Sequence, residues 1–532
     1  MEENKRYVVL VSLVVALGGF LMGFDASVIS GVIKFIEVEF DLTKIQLGWA
    51  VSSLTLSATL AMMVSGPLSD RFGRKVLLMI AAILYTISAI GSALAPTFWF
   101  LVIARMIGGL GVGTSLILAP MYIAEISPAK MRGRMVSFNQ LNIVIGISVA
   151  FFSNYLILKL GMLDIAWVQG LKFAEYNWRW MLGLETLPAA FYFLSLFIVP
   201  ESPRWLVMKG REDEGLAVMI KASGKKQAHT EIKAVHESVA LESRKEKIKI
   251  AELFKPAMRL VLTIGIGVAV LQQITGINSI FFYAPMIFQQ SGIGTDASFS
   301  QAILVGLTNL LFTIFAIGMI DKFGRKPLLG FGVAGIAIFM FILAGGFYSA
   351  TYTLTEDSIS ELPASVQKAK LIKIQNQTFK SDVAYKKALI QTLGSKTAKE
   401  YESELISSAI KMNPYLILIG IIGFVASFAI SIGPVMWVLF SELFPNRLRG
   451  LAISFVGLIN SAVSFLVQLV FPLELSNFGS AGTFFIYGLF AVIGLVFIIK
   501  VVPETKGKSL EELEKILLKQ DVSPVESDTA PA

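Results

Sequence analysis

The sequence predicts an all-α membrane protein: twelve transmembrane helices in two six-helix bundles, joined by a cytoplasmic helical linker. Three observations predict it. Apolar residues make up 55% of the 532-residue chain and charged residues only 16%, against about 25% charge in an ordinary soluble domain. Windows of about 20 apolar residues, the length that crosses a bilayer, recur along the whole chain. Basic residues gather in alternate connections between those windows. The composition excludes disordered, collagen-like and disulfide-stapled chains. A water-soluble enzyme is excluded too, because too little polar surface exists to cover the apolar mass. The lipid bilayer is therefore the first partner. The net charge of +8 is read as membrane orientation, not as affinity for nucleic acid. Without Cys, and with His229 and His236 as the only histidines in a polar stretch, no metal site and no cofactor is expected.

The windows fall at 7–32, 47–68, 76–95, 98–124, 135–157, 178–199, 258–290, 298–320, 327–350, 413–440, 449–473 and 480–502. The first runs on through Asp25 without a small-residue cleavage site, so it is read as a span and not a signal peptide. With the N-terminus inside, the short inner connections hold Arg71, Arg74 and Lys75; Lys130, Arg132 and Arg134; Lys322, Arg325 and Lys326; and Arg447 and Arg449. The opposite short loops hold almost none. This positive-inside pattern places both termini in the cytoplasm of a multi-pass cell-membrane protein.

The domains follow. Residues 1–199 form the N-terminal six-helix bundle and 200–257 the linker. Residues 258–502 form the C-terminal bundle, and 503–532 a cytoplasmic tail. An insert at 351–412 faces outward between spans nine and ten. Its nine lysines and seven acids nearly balance. It has helical character around Val383–Leu393 but no strong apolar stripe, so it reads first as a solvated loop. A lid or partner-binding element is the sharper reading.

The chain repeats itself. Asp70-Arg71-Phe72-Gly73-Arg74-Lys75 recurs as Asp321-Lys322-Phe323-Gly324-Arg325-Lys326. Glu125 with Arg132-Gly133 recurs as Glu442 with Arg449-Gly450, and Pro200-Glu201-Ser202 as Pro503-Glu504-Thr505. The spacing between copies jumps where the outer insert falls. Two similar bundles suit a rocking transporter with its site between them. The duplicated acids and bases suggest inner ion networks that break when the inside opens: Asp70, Arg74, Glu125 and Arg134 in one half, Asp321, Arg325, Glu442 and Arg449 in the other.

Ionisable groups inside a span cost about 2.5–3.5 kcal/mol at a helix centre and are functional candidates by default. Asp25 in span one and Arg105 in span four are read as facing one another. Arg holds its proton, so Asp25 is the candidate proton carrier; a static ion pair is the alternative. Six amides also lie in spans: Gln140, Gln272, Gln273, Asn278, Asn309 and Asn460. Each offers donor and acceptor, as a neutral polyhydroxylated ligand requires. Phe24, Phe282, Tyr283 and Trp437 supply flat faces. Helix–helix bonding is the plainer role for such amides. Gly433-Pro434 breaks helical hydrogen bonding in span ten and gives a gate.

These residues carry a family resemblance. The chain resembles the sugar porter family of the major facilitator superfamily, in particular its bacterial xylose–proton symporters. The motifs are the paired Asp-Arg/Lys-Phe-Gly-Arg-Lys runs, Pro200-Glu201-Ser202-Pro203-Arg204-Trp205-Leu206 and Gln272-Gln273-Ile274-Thr275-Gly276-Ile277-Asn278. Gly433-Pro434-Val435-Met436-Trp437 and Pro503-Glu504-Thr505-Lys506-Gly507 complete them. The resemblance implies the major facilitator fold and a monomeric transporter that is not an enzyme. It implies a sugar site at Gln140, Gln272, Gln273, Asn278, Asn309, Trp437 and Asn460, with Tyr283 and Phe24 at the gate. It also implies proton coupling at Asp25 with Arg105. The expected activity is import of a neutral pentose or hexose with a proton by alternating access. A passive sugar uniporter and a proton-coupled inositol or polyol transporter are the alternatives. Ile147 and Ser461 depart from the family pattern, where Gln and Trp are usual, and leave the choice of sugar open.

Overall fold

The computed structural model describes residues 5–128, 131–244, 249–445, 447–508 and 512–513. Lys130, residues 245–248 of the linker and most of the tail lie outside them, as does the Asp321 side chain. Among the described residues, eleven helical segments are long and apolar enough to cross a membrane. One of them, Arg449–Val501, has 53 residues, about 80 Å if straight, far more than one hydrocarbon core. Gly479 (φ 72°, ψ 173°) divides it, so the described residues make twelve crossings.

The first six crossings are Lys5–Glu39, Lys44–Phe72, Arg74–Ala93, Phe98–Ile126, Arg132–Gly161 and Asn177–Ile198. The second six are Pro256–Gln290, Thr295–Phe323, Arg325–Tyr348, Pro414–Leu443 and the two parts of Arg449–Val501. Local chemistry sets several starts. Thr43 makes a capping box with Gln46, and Thr97 accepts from the Phe100 N–H. Asn413 caps a helix that opens on Pro414. Leu187, Phe191, Leu194, Phe315 and Phe331 are all more than half exposed on the rim. Lipid is the solvent that such a belt fits.

Three spans are broken near their middles. Span six is interrupted at Leu184-Glu185, between Asn177–Gly183 and Thr186–Ser195. Span seven breaks at Thr275-Gly276, where Gly276 has φ 88°. Span ten breaks at Ser431 (φ −124°, ψ −103°), two residues before the predicted Gly433-Pro434 gate. Each break frees backbone groups inside the protein, where a site can use them.

The motif face carries the two Gly-Arg-Lys turns, and the insert face carries residues 351–412. One buried apolar cluster runs from the insert-face part of the first bundle, through Phe24, Val28, Ile36 and Phe151, into the second bundle. The motif-face part of the first bundle, with Val8, Val15, Tyr122 and Met135, is a separate cluster. The halves are thus fused on the insert face and divided toward the motif face. At the fused end Gly48 meets the Leu469 carbonyl so closely that a Cβ would sit 2.0 Å from its oxygen. Thr55 donates to Gln468 Oε1 at 2.9 Å nearby.

The linker carries helices Pro203–Met208, Glu212–Ser223 and Lys225–Arg244. The insert is not the solvated loop that its composition suggests. Strands β1 (Thr351–Thr353), β2 (Thr378–Phe379) and β3 (Ile410–Lys411) form a small antiparallel sheet in the order β2-β1-β3. Helices Asp382–Leu393 and Glu402–Ala409 pack on it, and Ser395–Glu400 packs against the first of these. Tyr352, Leu371, Tyr385, Leu389 and Leu405 make its own buried core. No local stripe announces that core, because its residues come from scattered short elements.

Candidate functional site

The break in span seven builds an amide network. It sets Gln272 and Gln273 at the end of Arg259–Ile274 and Asn278 at the start of Ile277–Gln290. Asn278 Nδ2 donates to Gln273 Oε1 at 2.8 Å and to Ser464 Oγ at 2.6 Å. Gln273 Nε2 donates to Gln272 Oε1 and Asn460 Oδ1, both at 3.1 Å. Asn460 Nδ2 donates to Gln272 Oε1 at 2.8 Å and to the Ala269 carbonyl at 2.9 Å. Gln272 Nε2 reaches the Ile432 and Gly433 carbonyls, each at 3.3 Å, at the break in span ten. Four of the six amides are therefore one cluster. Both N–H groups of Gln273, Asn278 and Asn460 are taken up within it, so what it offers a hydroxylated ligand as it stands is chiefly the lone pairs of its amide oxygens.

The other two amides stand apart. Gln140 is exposed on the first bundle, in the divided region. Asn309 is buried in span eight outside the network. Trp437 is 44% exposed and edge-on to Phe440 at 5.9 Å, a ring bordering open space. Tyr283 is fully buried; its hydroxyl donates to the Gln468 carbonyl at 3.0 Å and its ring lies 4.9 Å from Phe471. Phe24 and Phe282 are buried in the fused region.

In the first bundle Arg105 Nη1 lies 3.4 Å from Asp25 Oδ1, and Arg105 Nε donates to the Ala50 carbonyl at 3.0 Å. Both charged residues are about 1% exposed. Sequence reasoning missed a third member. Glu185, at the break in span six, is 2% exposed and within electrostatic reach of both. Asp25 Oδ2, Arg105 Nη2 and Glu185 Oε1 are buried without a hydrogen-bond partner among the described residues. With two acids and one base, the group is neutral only when one carboxyl carries a proton. The rule that singled out Asp25, an ionisable residue inside a span, singles out Glu185 equally.

On the motif face the sequence repeat becomes a structural one. Arg74 pairs bidentately with Glu125 (Nε–Oε2 3.1 Å, Nη2–Oε1 3.2 Å) and with Asp70 at 2.9 Å. Arg325 pairs in the same way with Glu442 (Nε–Oε2 3.1 Å, Nη2–Oε1 2.7 Å). Glu201 accepts from the N–H groups of Arg74 (3.0 Å) and Lys75 (3.1 Å). Glu504 does so from Arg325 and Lys326, both 3.1 Å. Ser202 and Thr505 each donate a hydroxyl to the matching glutamate, Glu125 or Glu442. Each PES or PET motif thus supplies an anion to the start of a helix. The two anions differ. Burial pushes Glu201 up from the usual range. Burial also opposes ionisation of Glu504, but the N–H groups of Lys506, Arg325 and Lys326 hold it below that range.

Gly73 (φ 102°) and Gly324 (φ 91°) make the turns, and a Cβ at either would press on Glu201 or Glu504. Two predicted members are absent from these ion clusters. Arg134 is exposed, and Arg449 donates to the Phe444 carbonyl at 3.2 Å. Each cluster lies within its own half.

Comparison with known proteins decides the family. The Sugar (and other) transporter family model matches residues 11–362 and 392–517. The chain belongs to the sugar porter family of the major facilitator superfamily. The arabinose-proton symporter of Bacillus subtilis is 34% identical over 518 residues, covering 97% of each chain. The D-xylose-proton symporter of Escherichia coli is 33% identical over 97% of this chain and 96% of its own. The inward open structure of the Escherichia coli xylose transporter superposes with TM-score 0.72 at 31% identity, over 96% of this chain and all of that one. The structure of that symporter bound to 6-bromo-6-deoxy-D-glucose gives 0.66 at 32% identity, over 97% and all of the chain. This sugar porter is a multi-pass membrane transporter and not an enzyme. Its family match passes over residues 363–391, within the insert.

Proposed function

We propose that this sugar porter imports a neutral monosaccharide, pentose or hexose, together with a proton by alternating access. The buried Asp25–Arg105 pair beside Glu185 in one half, with a separate amide network in the other, carries this reading. Gln140, Gln272, Gln273, Asn278, Asn309, Trp437 and Asn460 form the sugar site. Asp25 carries the proton, and Arg105 keeps the emptied carboxylate tolerable in the membrane. Residues 1–199 and 258–502 are the two rocking units. The motif face is cytoplasmic, as the positive-inside pattern requires. The division between the halves on that face is then the inward-open stage. Closing it brings Gln140 and Trp437 toward the amide network while the fused face parts at Gly48–Leu469, Tyr283 and Phe24. The breaks at Gly276 and Ser431 absorb the bending.

The energetics allow concentration. A potential near 150 mV supplies about 3.5 kcal/mol per proton, enough for a sugar gradient of a few hundredfold at about 1.4 kcal/mol per tenfold. The test is uptake of a sugar panel by proteoliposomes with and without an imposed proton gradient. Symport raises the internal sugar above the external level only with the gradient, and alkalinises the medium. Equal end-points in both conditions overturn symport and leave the uniporter.

A further inference from the structure

The insert touches both halves of the transporter, and its two sets of contacts differ in kind. It is mounted on the second half. The Asp382 carboxylate accepts from the Ser480 N–H and hydroxyl, both at 3.0 Å, at the turn between spans eleven and twelve. Gln290, at the end of span seven, donates to Glu402 at 3.0 Å. The insert also grips the first half. Lys399 Nζ lies 2.9 Å from Asp41 Oδ1 and donates to the Leu42 carbonyl at 3.0 Å. Asp41 sits in the turn between spans one and two at φ 46°, with its side chain largely exposed. Nearby, Lys34 of the first half donates to Thr295 of the second at 2.9 Å, and Thr295 bonds Ser403 of the insert at 3.4 Å.

Beneath this contact lies a small cavity shared by all three parts, lined among others by Lys34, Glu37, Gln290, Lys399 and Glu402. Burial alone would raise the pKa of Glu402, but Lys386 and Lys44 hold it at about 2. An ionised carboxylate from the insert thus pairs with Lys386 of the insert at 3.0 Å and lies within electrostatic reach of Lys44 of the first half, which itself pairs with Glu37.

We propose that residues 351–412 are a latch: carried by the second half, the insert clasps the turn between spans one and two, holds the insert face shut in the inward-open stage, and must let go for that face to open. The proposal rests on alternating access and not on proton coupling. Lys399 is the moving contact, and Asp382–Ser480 the permanent mount.

The chain has no Cys, so introduced thiols are the only ones. Asp41→Cys with Lys399→Cys is bridged by a short, reducible bis-methanethiosulfonate. The control is Asp382→Cys with Ser480→Cys, bridged within one half. Uptake is read with D-xylose, L-arabinose and D-glucose in proteoliposomes. The cross-half bridge should cut uptake by about tenfold or more, reversibly with reductant, because a rocking step is blocked. The same-half bridge should leave uptake within about twofold of its unbridged form. A cross-half-bridged protein that transports at its unbridged rate overturns the latch.

A readout independent of any sugar separates this from failure of the transport reading. Lys399→Ala should raise backbone hydrogen exchange severalfold around residues 28–44 and 283–295, by loosening the closed face. Unchanged exchange there overturns the latch even if none of the three sugars is carried. Raised exchange without uptake supports the latch and sends the substrate question elsewhere.

Discussion

Replacing Asp25 by Asn removes the proposed proton carrier and keeps an oxygen for Arg105. The structure sets two magnitudes. The first concerns coupling. An imposed gradient of one pH unit is worth about 1.4 kcal/mol per proton, which bounds accumulation at about tenfold. Wild type should approach that bound in proteoliposomes, and Asp25→Asn should stop at equal concentrations inside and out while still exchanging labelled sugar. The second magnitude concerns stability. The Asn oxygen can still accept from Arg105 Nη1, now 3.4 Å from Asp25 Oδ1, and Glu185 stays within reach to balance the charge. The single substitution should therefore cost about 1 kcal/mol, the scale of one hydrogen bond. Asp25→Asn with Glu185→Gln leaves a buried guanidinium with no nearby acid, and a broken buried ion pair costs about 3–5 kcal/mol. Thermal unfolding in detergent reads the difference as a drop far larger for the pair than for either single variant. If Asp25→Asn still concentrates sugar toward the wild-type level, the coupling role is wrong. If the single variant is already as unstable as the pair, Glu185 does not share the charge.

Other consequences are quicker to test. Gln273→Ala removes two donor contacts and one acceptor contact in the amide network and should raise the half-saturation for transport several-fold, at about 1.4 kcal/mol per tenfold; an unchanged value removes Gln273 from the site. Gly73→Ala forces a Cβ to within 2.3 Å of Glu201 Oε2 at φ 102° and should destabilise by about 1–3 kcal/mol. Gly324→Ala should cost less, since its closest approach to Glu504 is 2.8 Å; a thermal-shift series that ranks them the other way counts against the argument. Glu402 is depressed to about 2 in the folded insert, so its stabilisation is complete above its ordinary value near 4.5 and fades as pH falls toward 2. Limited proteolysis of the insert should accelerate across that window, and Glu402→Gln should flatten the dependence.

How much was legible can be argued residue by residue. The count of spans, the duplication and the nearness of Gln272, Gln273 and Asn278 followed from local patterns; that Asn460 joins them while Gln140 and Asn309 stand apart is a tertiary fact. Hydropathy over about 20 residues is a property of contiguous sequence, and a break such as Thr275-Gly276 brings Gln272, Gln273 and Asn278 together within a few residues. The partnership of Asp25 and Arg105 was also foreseen, because two opposite charges in an apolar medium have few other places to go. Glu185 was not, although it met the same criterion, since it lies at a helix break whose position hydropathy does not mark. Arg134 and Arg449 lie near the motif glutamates in sequence yet stay out of the ion clusters of Arg74 and Arg325, one exposed and the other on the Phe444 carbonyl, because a side chain's heading depends on the turn that carries it.

The insert divides the two kinds of information most clearly. Its composition is that of a solvated segment, and its buried residues, among them Tyr352, Tyr385 and Leu405, come from elements too short to show a period. Their convergence into a core, and the reach of Lys399 to Asp41 some 358 positions away, depend on packing between segments distant in the chain. Which face is closed has the same origin. Sequence places charges relative to a membrane, since each span meets lipid locally. The fusion of the halves at Gly48–Leu469, and their division toward the motif face, is a relation between two rigid bodies that no single span encodes.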